Sequence, residues 1–373
     1  MKVLLVGVGG YGAGYVNSLL GSTDPSIVWE GAVDPYFSTC SKRQAIEDAG
    51  IPVYDTLEAF YREHEADLAI ICTPPFLHRE QSIYALSHGS YVLCEKPIAP
   101  TLEEAEEMLR AEKKYGKWIA IGFQWSFIGA MRSLKEDILS GVLGKPLAFK
   151  TAISWPRGLS YYGKNGWNGR VSKDGVTILD SIASNACAHF LHNMLFLLGD
   201  GMDVCADADD LEVDCFRAND IETFDTCSVK MTASGVPLYL IASHAAEKRK
   251  DPEFVYRFEN ADVRYSQSEC PDIIATFKDG TTKNYGNPFL DRYVAVWDCI
   301  NDIREGRVPI CTVRTAIPHT RLTKRIYEEA AIMDFPSELV EFNVEENRVY
   351  VRGLYDLLYQ AYDGTAMLSQ MLG

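Results

Sequence analysis

Between residues 2 and 123 the chain alternates short, continuously apolar runs with helix-forming stretches. The runs cover residues 2–7, 27–34, 68–73, 91–95 and 118–123. A strand with one wet face alternates apolar and polar residues. A strand that is apolar throughout is covered on both faces, as in a parallel sheet. The intervening stretches 11–20, 41–49, 57–64, 77–88 and 102–115 have helical spacing, and two begin on capping-box signals: Asp55 with Glu58, and Thr101 with Glu104. This alternation predicts an α/β domain built on a doubly wound parallel sheet.

The pattern changes after residue 124. A helix is expected over 131–139, a strand over 147–155, an aromatic and glycine-rich stretch over 156–175 and an apolar helix over 180–198. Strand-like runs follow at 227–232, 238–243, 254–258 and 273–277, then helices at 289–303, 316–333 and 354–371. That order predicts an α+β domain with an open, mainly antiparallel sheet. A length of 373 residues exceeds what one core usually fills. Two domains are therefore expected, 1–124 and 125–373, with the last helix a candidate to pack back on the first.

Thirty-six Lys and Arg against 52 Asp and Glu give a net charge of −16. That balance argues against nucleic acid and anionic membrane as partners. No apolar run approaches the ~18 to 20 residues of a membrane span. Ten cysteines without a single CxxC suggest neither a zinc ribbon nor a redox pair and fit a reducing cytoplasm. The apolar N-terminus is brief and has no cleavage signal after it, so it reads as a first strand, not a signal peptide.

Gly7-Val8-Gly9-Gly10-Tyr11-Gly12 sits between the first strand and the first helix. In that context Gly7 makes the tight turn, Gly9 admits a pyrophosphate to the backbone, and Gly12 packs helix on strand. Gly10 and Tyr11 complete the loop, and the helix N-terminus favours phosphate. Asp34, at the end of the second strand, suits the two ribose hydroxyls of NAD and repels the 2′-phosphate of NADP. Thr73, Pro74, Pro75 and His78 follow the next strand and are expected to wall the cofactor crevice, as are Gln124 and Trp125 further on. Glu95-Lys96-Pro97 closes another strand, where Glu95 and Lys96 are expected beside the cofactor and Lys96 can hold a substrate hydroxyl and share its proton.

Together these motifs resemble the Gfo/Idh/MocA oxidoreductases, most strongly over residues 1–125. Gly144-Lys145-Pro146 resembles that family's entry to its second domain. The resemblance implies an N-terminal Rossmann domain, NAD(P)-dependent oxidation or reduction of a sugar or polyol, and Lys96 as the catalytic lysine. It also implies a homodimer or homotetramer. On the helix expected over 180–198, Asn185, His189 and His192 share one face at i, i+4, i+7. Alignment on Leu197-Leu198-Gly199 matches His189 to the family's histidine. Asn185 and His192 then stand where the family has aspartates, so an amide replaces one carboxylate beside the base, and His192 is expected to bind substrate or relay a second proton. No metal site is expected. Trp155, Arg157, Tyr161, Tyr162, Trp167 and Arg170 supply aromatic faces and donors suited to a polyhydroxylated substrate.

Two rival readings remain at this stage. One is an enzyme that recycles bound NAD to cleave or eliminate at a glycoside. The other is a dinucleotide-binding regulator without catalysis.

Overall fold

The computed structural model describes residues 1–372. The chain divides into two compact units, Met1–Phe127 with Asp291–Ile317, and Ile128–Leu290 with Pro318 onward. The first boundary lies close to the expected 124. The second region is not one stretch, however, because Asp291–Ile317 returns to the first unit.

In the first unit the elements run β1 (Lys2–Val6), α1 (Gly12–Leu20), β2 (Val28–Val33), α2 (Arg43–Asp48), β3 (Val53–Tyr54) and α3 (Leu57–Glu63). They continue with β4 (Leu68–Ile71), α4 (Pro75–Ser87), β5 (Tyr91–Cys94), α5 (Leu102–Tyr115), β6 (Ile119–Ile121) and α6 (Gln124–Phe127). All six strands are parallel, in the order β3-β2-β1-β4-β5-β6. The strands expected from apolar runs are present; β3, two residues long, carried too little pattern to be read. Thr101 caps α5 as expected, accepting from the Glu104 N–H at 3.2 Å. The cap of α3 is Thr56, not Asp55, and accepts from the Ala59 N–H at 3.2 Å. The returning segment pairs along β6, where the Ile121 N–H donates to the Cys311 carbonyl at 2.8 Å.

The second unit opens with α7 (Gly129–Leu139), β7 (Pro146–Ser154), α8 (Leu159–Gly163) and the small hairpin β8 (Ser172–Lys173) and β9 (Val176–Thr177). The stretch after β7 is therefore more structured than expected. Next come α9 (Ala188–Leu198), β10 (Glu212–Arg217), β11 (Thr226–Ala233), β12 (Val236–Ser243), β13 (Lys250–Phe258), β14 (Ala261–Ser266), β15 (Cys270–Phe277) and β16 (Thr282–Gly286). After α10 (Val294–Glu305), which belongs to the first unit, follow α11 (Val313–Glu329), whose residues as far as Ile317 also belong to the first unit, then β17 (Ile332–Asp334), β18 (Val340–Asn343), β19 (Arg348–Val351), α12 (Leu354–Gly364) and α13 (Leu368–Leu372). Nine strands form one sheet, β16-β15-β14-β13-β7-β12-β11-β10-β17. It is antiparallel except where β7 meets β12 and β10 meets β17.

Alternation along β7 explains how both sheet faces are filled. Thr151 points to α9, its hydroxyl 3.7 Å from the Met194 sulfur. Ala152 points the other way, into a core with Tyr239, Ile241, Leu354, Leu358 and Ala361. The C-terminal helix thus packs on the nine-stranded sheet of its own unit.

Candidate functional site

In the first unit the chain leaves β1 at Gly7, which has φ 85°. A Cβ on Gly7 would lie 2.6 Å from the Cys72 carbonyl oxygen, and one on Gly12 2.0 Å from the Gly7 oxygen. Any side chain at either position would force the turn away from the sheet. Gly9, by contrast, has no atom within 4 Å of where a Cβ would sit. The outer side of the turn is open backbone at the N-terminus of α1. That is the space and polarity a pyrophosphate requires. The Asp34 carboxylate accepts from the Val8 N–H at 3.0 Å and from the Tyr36 N–H at 2.8 Å. Each oxygen retains a further lone pair, so a ribose diol can still be bound. The residues present therefore fit a dinucleotide.

At the ends of β4 and β5 the structure separates lining residues from supporting ones. His78 is buried, with Nδ1 2.9 Å from the Pro97 carbonyl and Nε2 2.9 Å from the Thr73 carbonyl. Burial holds its pKa below the ordinary imidazole range. The ring sits between the two carbonyls and, neutral, donates its one N–H to one of them, so His78 lies wedged between the loop after β4 and the loop after β5. It is a strut, not the cofactor contact expected. Glu95 is corrected in the same way. One of its oxygens accepts from the Tyr15 hydroxyl and the other from the Lys96 N–H at 3.1 Å. Burial raises the pKa of this carboxyl. Lys96 is half-buried beside it. Trp125 is buried as core, while the Gln124 carbonyl accepts from the Tyr11 hydroxyl at 2.7 Å. Tyr293, on the returning segment, packs 5.6 Å from the Tyr11 ring and 4.9 Å from the Tyr15 ring. Nothing local in the sequence linked Tyr293 to the glycine turn.

In the second unit the helix expected over 180–198 is not continuous. The Cys187 N–H donates to the Ile182 carbonyl at 2.7 Å, closing a π turn over Ile182–Ala186 before α9 begins. Ser181 and Ser184 cap that turn reciprocally. One extra residue in the turn breaks the expected i, i+4, i+7 stripe. Asn185 and His189 are half-buried, whereas His192 turns into the core at 1% exposure. His192 stacks on Phe196 with ring centroids 6.0 Å apart. Burial, with His319, His189 and Lys135 facing it, holds its pKa well below the usual imidazole range. His192 is therefore a neutral core residue, and the relay or substrate role expected for it is withdrawn.

Sequence reasoning passed over Asp180. Its Oδ1 accepts from the Asn185 Nδ2 at 2.8 Å and its Oδ2 from the Gly169 N–H at 2.7 Å. A buried carboxylate thus stands behind the amide at Asn185. Asp225 was missed as well; its Oδ2 accepts from the Ala218 N–H, the Asn219 N–H and Asn219 Nδ2 at 3.1, 2.9 and 2.8 Å.

The aromatic stretch is brought together on the same unit. Trp155 packs edge-on against Phe190, the neighbour of His189, with centroids 5.7 Å apart. The Arg157 guanidinium lies 4.9 Å from the Tyr161 ring centre, and Tyr161 meets Tyr162 at 5.1 Å. β7 pairs with β12 so that Ser154 faces Ser243. This register sets His244 beside Trp155, with Nδ1 2.8 Å from the Trp155 carbonyl. Trp167 is half-buried. Arg170 is exposed and paired with Glu222 at 2.7 Å, so it is a surface ion pair and not the substrate contact expected. Among the described residues, no group of three or more His, Cys, Asp or Glu is arranged to hold a metal ion. None of their helices is long and apolar enough to cross a membrane.

Comparison with known proteins gives a consistent picture. Residues 1–123 match the Gfo/Idh/MocA family model, described as an oxidoreductase family with an NAD-binding Rossmann fold. D-glucoside 3-dehydrogenase of Escherichia coli is 30% identical over 167 residues, 43% of this chain and 45% of the relative. The 2,7-anhydro-N-acetylneuraminate hydratase of Mediterraneibacter gnavus is 32% identical over 121 residues, 32% of this chain and 29% of the relative. The chain thus spans under half the length of these two relatives. The WlbA dehydrogenase of Chromobacterium violaceum, solved with NADH and UDP-GlcNAcA, superposes with a TM-score of 0.71 at 20% identity over 88% of this chain and 93% of that one. At that identity the likeness establishes the shared fold.

Proposed function

We propose that this chain, whose N-terminal domain belongs to the NAD-binding Gfo/Idh/MocA oxidoreductases, is an NAD-dependent dehydrogenase acting on a hydroxyl of a sugar, polyol or sugar derivative. The observation that carries the reading is the open glycine turn with Asp34 at its rim, on the same sheet as Lys96. Asp34 favours NAD over NADP, because a 2′-phosphate would meet a carboxylate already fixed by two backbone N–H groups. When bound, nicotinamide supplies the hydride acceptor.

The chain's own residues handle the rest. Lys96, held by Glu95 and His78 through the backbone on either side of it, is proposed to bind the reacting hydroxyl through its ammonium. His189 is proposed as the base that takes the hydroxyl proton, with Asn185 and, behind it, Asp180 orienting the site. Trp155, Arg157, Tyr161 and Tyr162 are proposed to hold the substrate. A cytoplasmic homo-oligomer completes this reading, and light scattering on the purified chain tests its assembly.

The test is a titration with NAD and NADP, then a panel of sugars, polyols and sugar acids followed at the nicotinamide absorbance band. Tighter binding of NAD, substrate-dependent NADH formation, and a loss of about 10²- to 10⁴-fold in turnover for Lys96→Ala are expected. Turnover unchanged in Lys96→Ala overturns the lysine's role. The likeness to a hydratase favours a second reading, in which bound NAD is recycled during elimination. Product release without net NADH would distinguish it.

A further inference from the structure

The second unit has an open cleft of 580 Å³ whose lining includes Arg157, Ser160, Tyr161 and Lys164, and no acidic side chain. In a chain with 52 carboxylates, a cleft with two cations and no acid is a local reversal of charge. Arg170, Arg217, Arg249 and Arg348 of the same unit are each paired with a carboxylate. Arg157 and Lys164 make no ion pair among the described residues.

Arg157 is also partly desolvated. Its guanidinium lies 4.9 Å from the Tyr161 ring centre and 5.7 Å from that of Trp155, and its Nε is buried with no acceptor. A guanidinium set between aromatic rings keeps its fork of donors and lacks only an anion to receive them. His244 lies alongside, its carbonyl accepting from the Arg157 N–H at 3.0 Å. Burial and then the Arg157 charge push its imidazole down to about 3, so it is neutral and adds no third cation beside the cleft. Further polar atoms of the neighbourhood, Tyr162 Oη and Asn168 Oδ1, are buried without partners. Buried polar atoms in this condition commonly mark a ligand or ordered water. Trp155, whose ring lies beside the Arg157 guanidinium, packs against Phe190 of the helix that carries His189.

We propose that Arg157, assisted by Lys164, binds an oxyanion carried by the hydroxylated substrate, so that the chain selects sugar acids or sugar phosphates over neutral sugars. This deepens the proposed function and rests on it for the identity of the remainder of the substrate. Global charge disfavours anions near this protein, but recognition is decided within a few ångströms, where the cleft lining carries two cations and no carboxylate.

The test is calorimetric titration of the whole chain with D-glucuronate, D-glucose 6-phosphate and D-glucose, in the presence of NADH. At least one oxyanion is expected to bind about tenfold or more tightly than glucose. Arg157→Ala should remove most of that preference, Arg157→Lys part of it, and Lys164→Ala, at an exposed position, a smaller part. Preference for glucuronate alone assigns a carboxylate, and for the phosphate alone a phosphoryl group. Equal or undetectable response to all three probes overturns the proposal, as does a preference that survives both Arg157→Ala and Lys164→Ala. NADH titration of the same samples separates the two readings. Oxyanion selectivity without dinucleotide binding would retain the cleft and remove the dehydrogenase.

Discussion

At the scale of single residues, the same side-chain type serves opposite ends according to burial. His189 stays half-buried on its helix, while His192, three residues on, is swallowed by the core. His244 is buried too, and its pKa of about 3 has a consequence for stability. Between that value and the ordinary imidazole value near 6.5, the unfolded chain binds a proton that the folded chain refuses. Stability from this residue is therefore complete above about pH 6.5 and declines as pH falls toward the folded value. His244→Gln keeps a donor for the Trp155 carbonyl but cannot titrate. In urea unfolding, this variant should lose less stability than the parent between about pH 6.5 and about pH 4. An identical loss in both proteins would mean that His244 takes up its proton in the folded state.

At the scale of elements, the π turn before α9 is the feature that local pattern could not reveal. The sequence has an unbroken helical rhythm from Asp180 to Leu198, and a periodicity argument continues it through. What interrupts it is the Asp180 carboxylate, which accepts from both Gly169 and Asn185 and fixes the chain just before the turn. Removing that carboxylate leaves two donors unsatisfied. Asp180→Ala should cost about 2–4 kcal/mol of unfolding free energy, from charge-assisted bonds of about 1.5–3 kcal/mol each with partial solvation in the variant. Denaturant midpoints measure this. If Asn185 depends on Asp180 for its orientation, Asn185→Ala in the Asp180→Ala background should add less than it costs alone. The cap of α3 is a smaller lesson of the same kind. Asp55 and Thr56 are both good caps, and only the path of the chain selected Thr56.

At the scale of the whole molecule, the first unit is assembled from two distant stretches. Asp291–Ile317 supplies buried Ala295, Val296, Cys299 and Ile300 and pairs with β6 through Cys311 and Thr312. A fragment ending at Phe127 would carry every dinucleotide motif yet leave that side of its sheet bare. It is expected to unfold at lower denaturant than the full chain and to aggregate. Addition of residues 291–317 through a flexible linker should restore cooperative unfolding and dinucleotide binding. A stable, NAD-binding 1–127 fragment would show that the returning segment is dispensable. The C-terminal helices act similarly in the second unit, where Leu354, Leu358 and Ala361 cover Ala152, Tyr239 and Ile241 of the sheet.

What the sequence by itself determined is what depends on near neighbours. Apolar runs make strands, helical rhythm makes helices, and Gly7 to Gly12 followed by Asp34 is a local device whose parts lie on adjacent strands. The resemblance carried by these residues and by Glu95-Lys96-Pro97 rests on the same continuity. Tertiary structure alone decided the rest: that His78 and Glu95 brace Lys96, that Asp180 stands behind Asn185, that Tyr293 covers Tyr15, and that Arg157 lies unpaired over Tyr161. Those facts depend on which buried polar group finds which partner across strand pairings and chain returns. Spacing along the chain carries no record of that, because desolvation and pairing are settled only when the core closes.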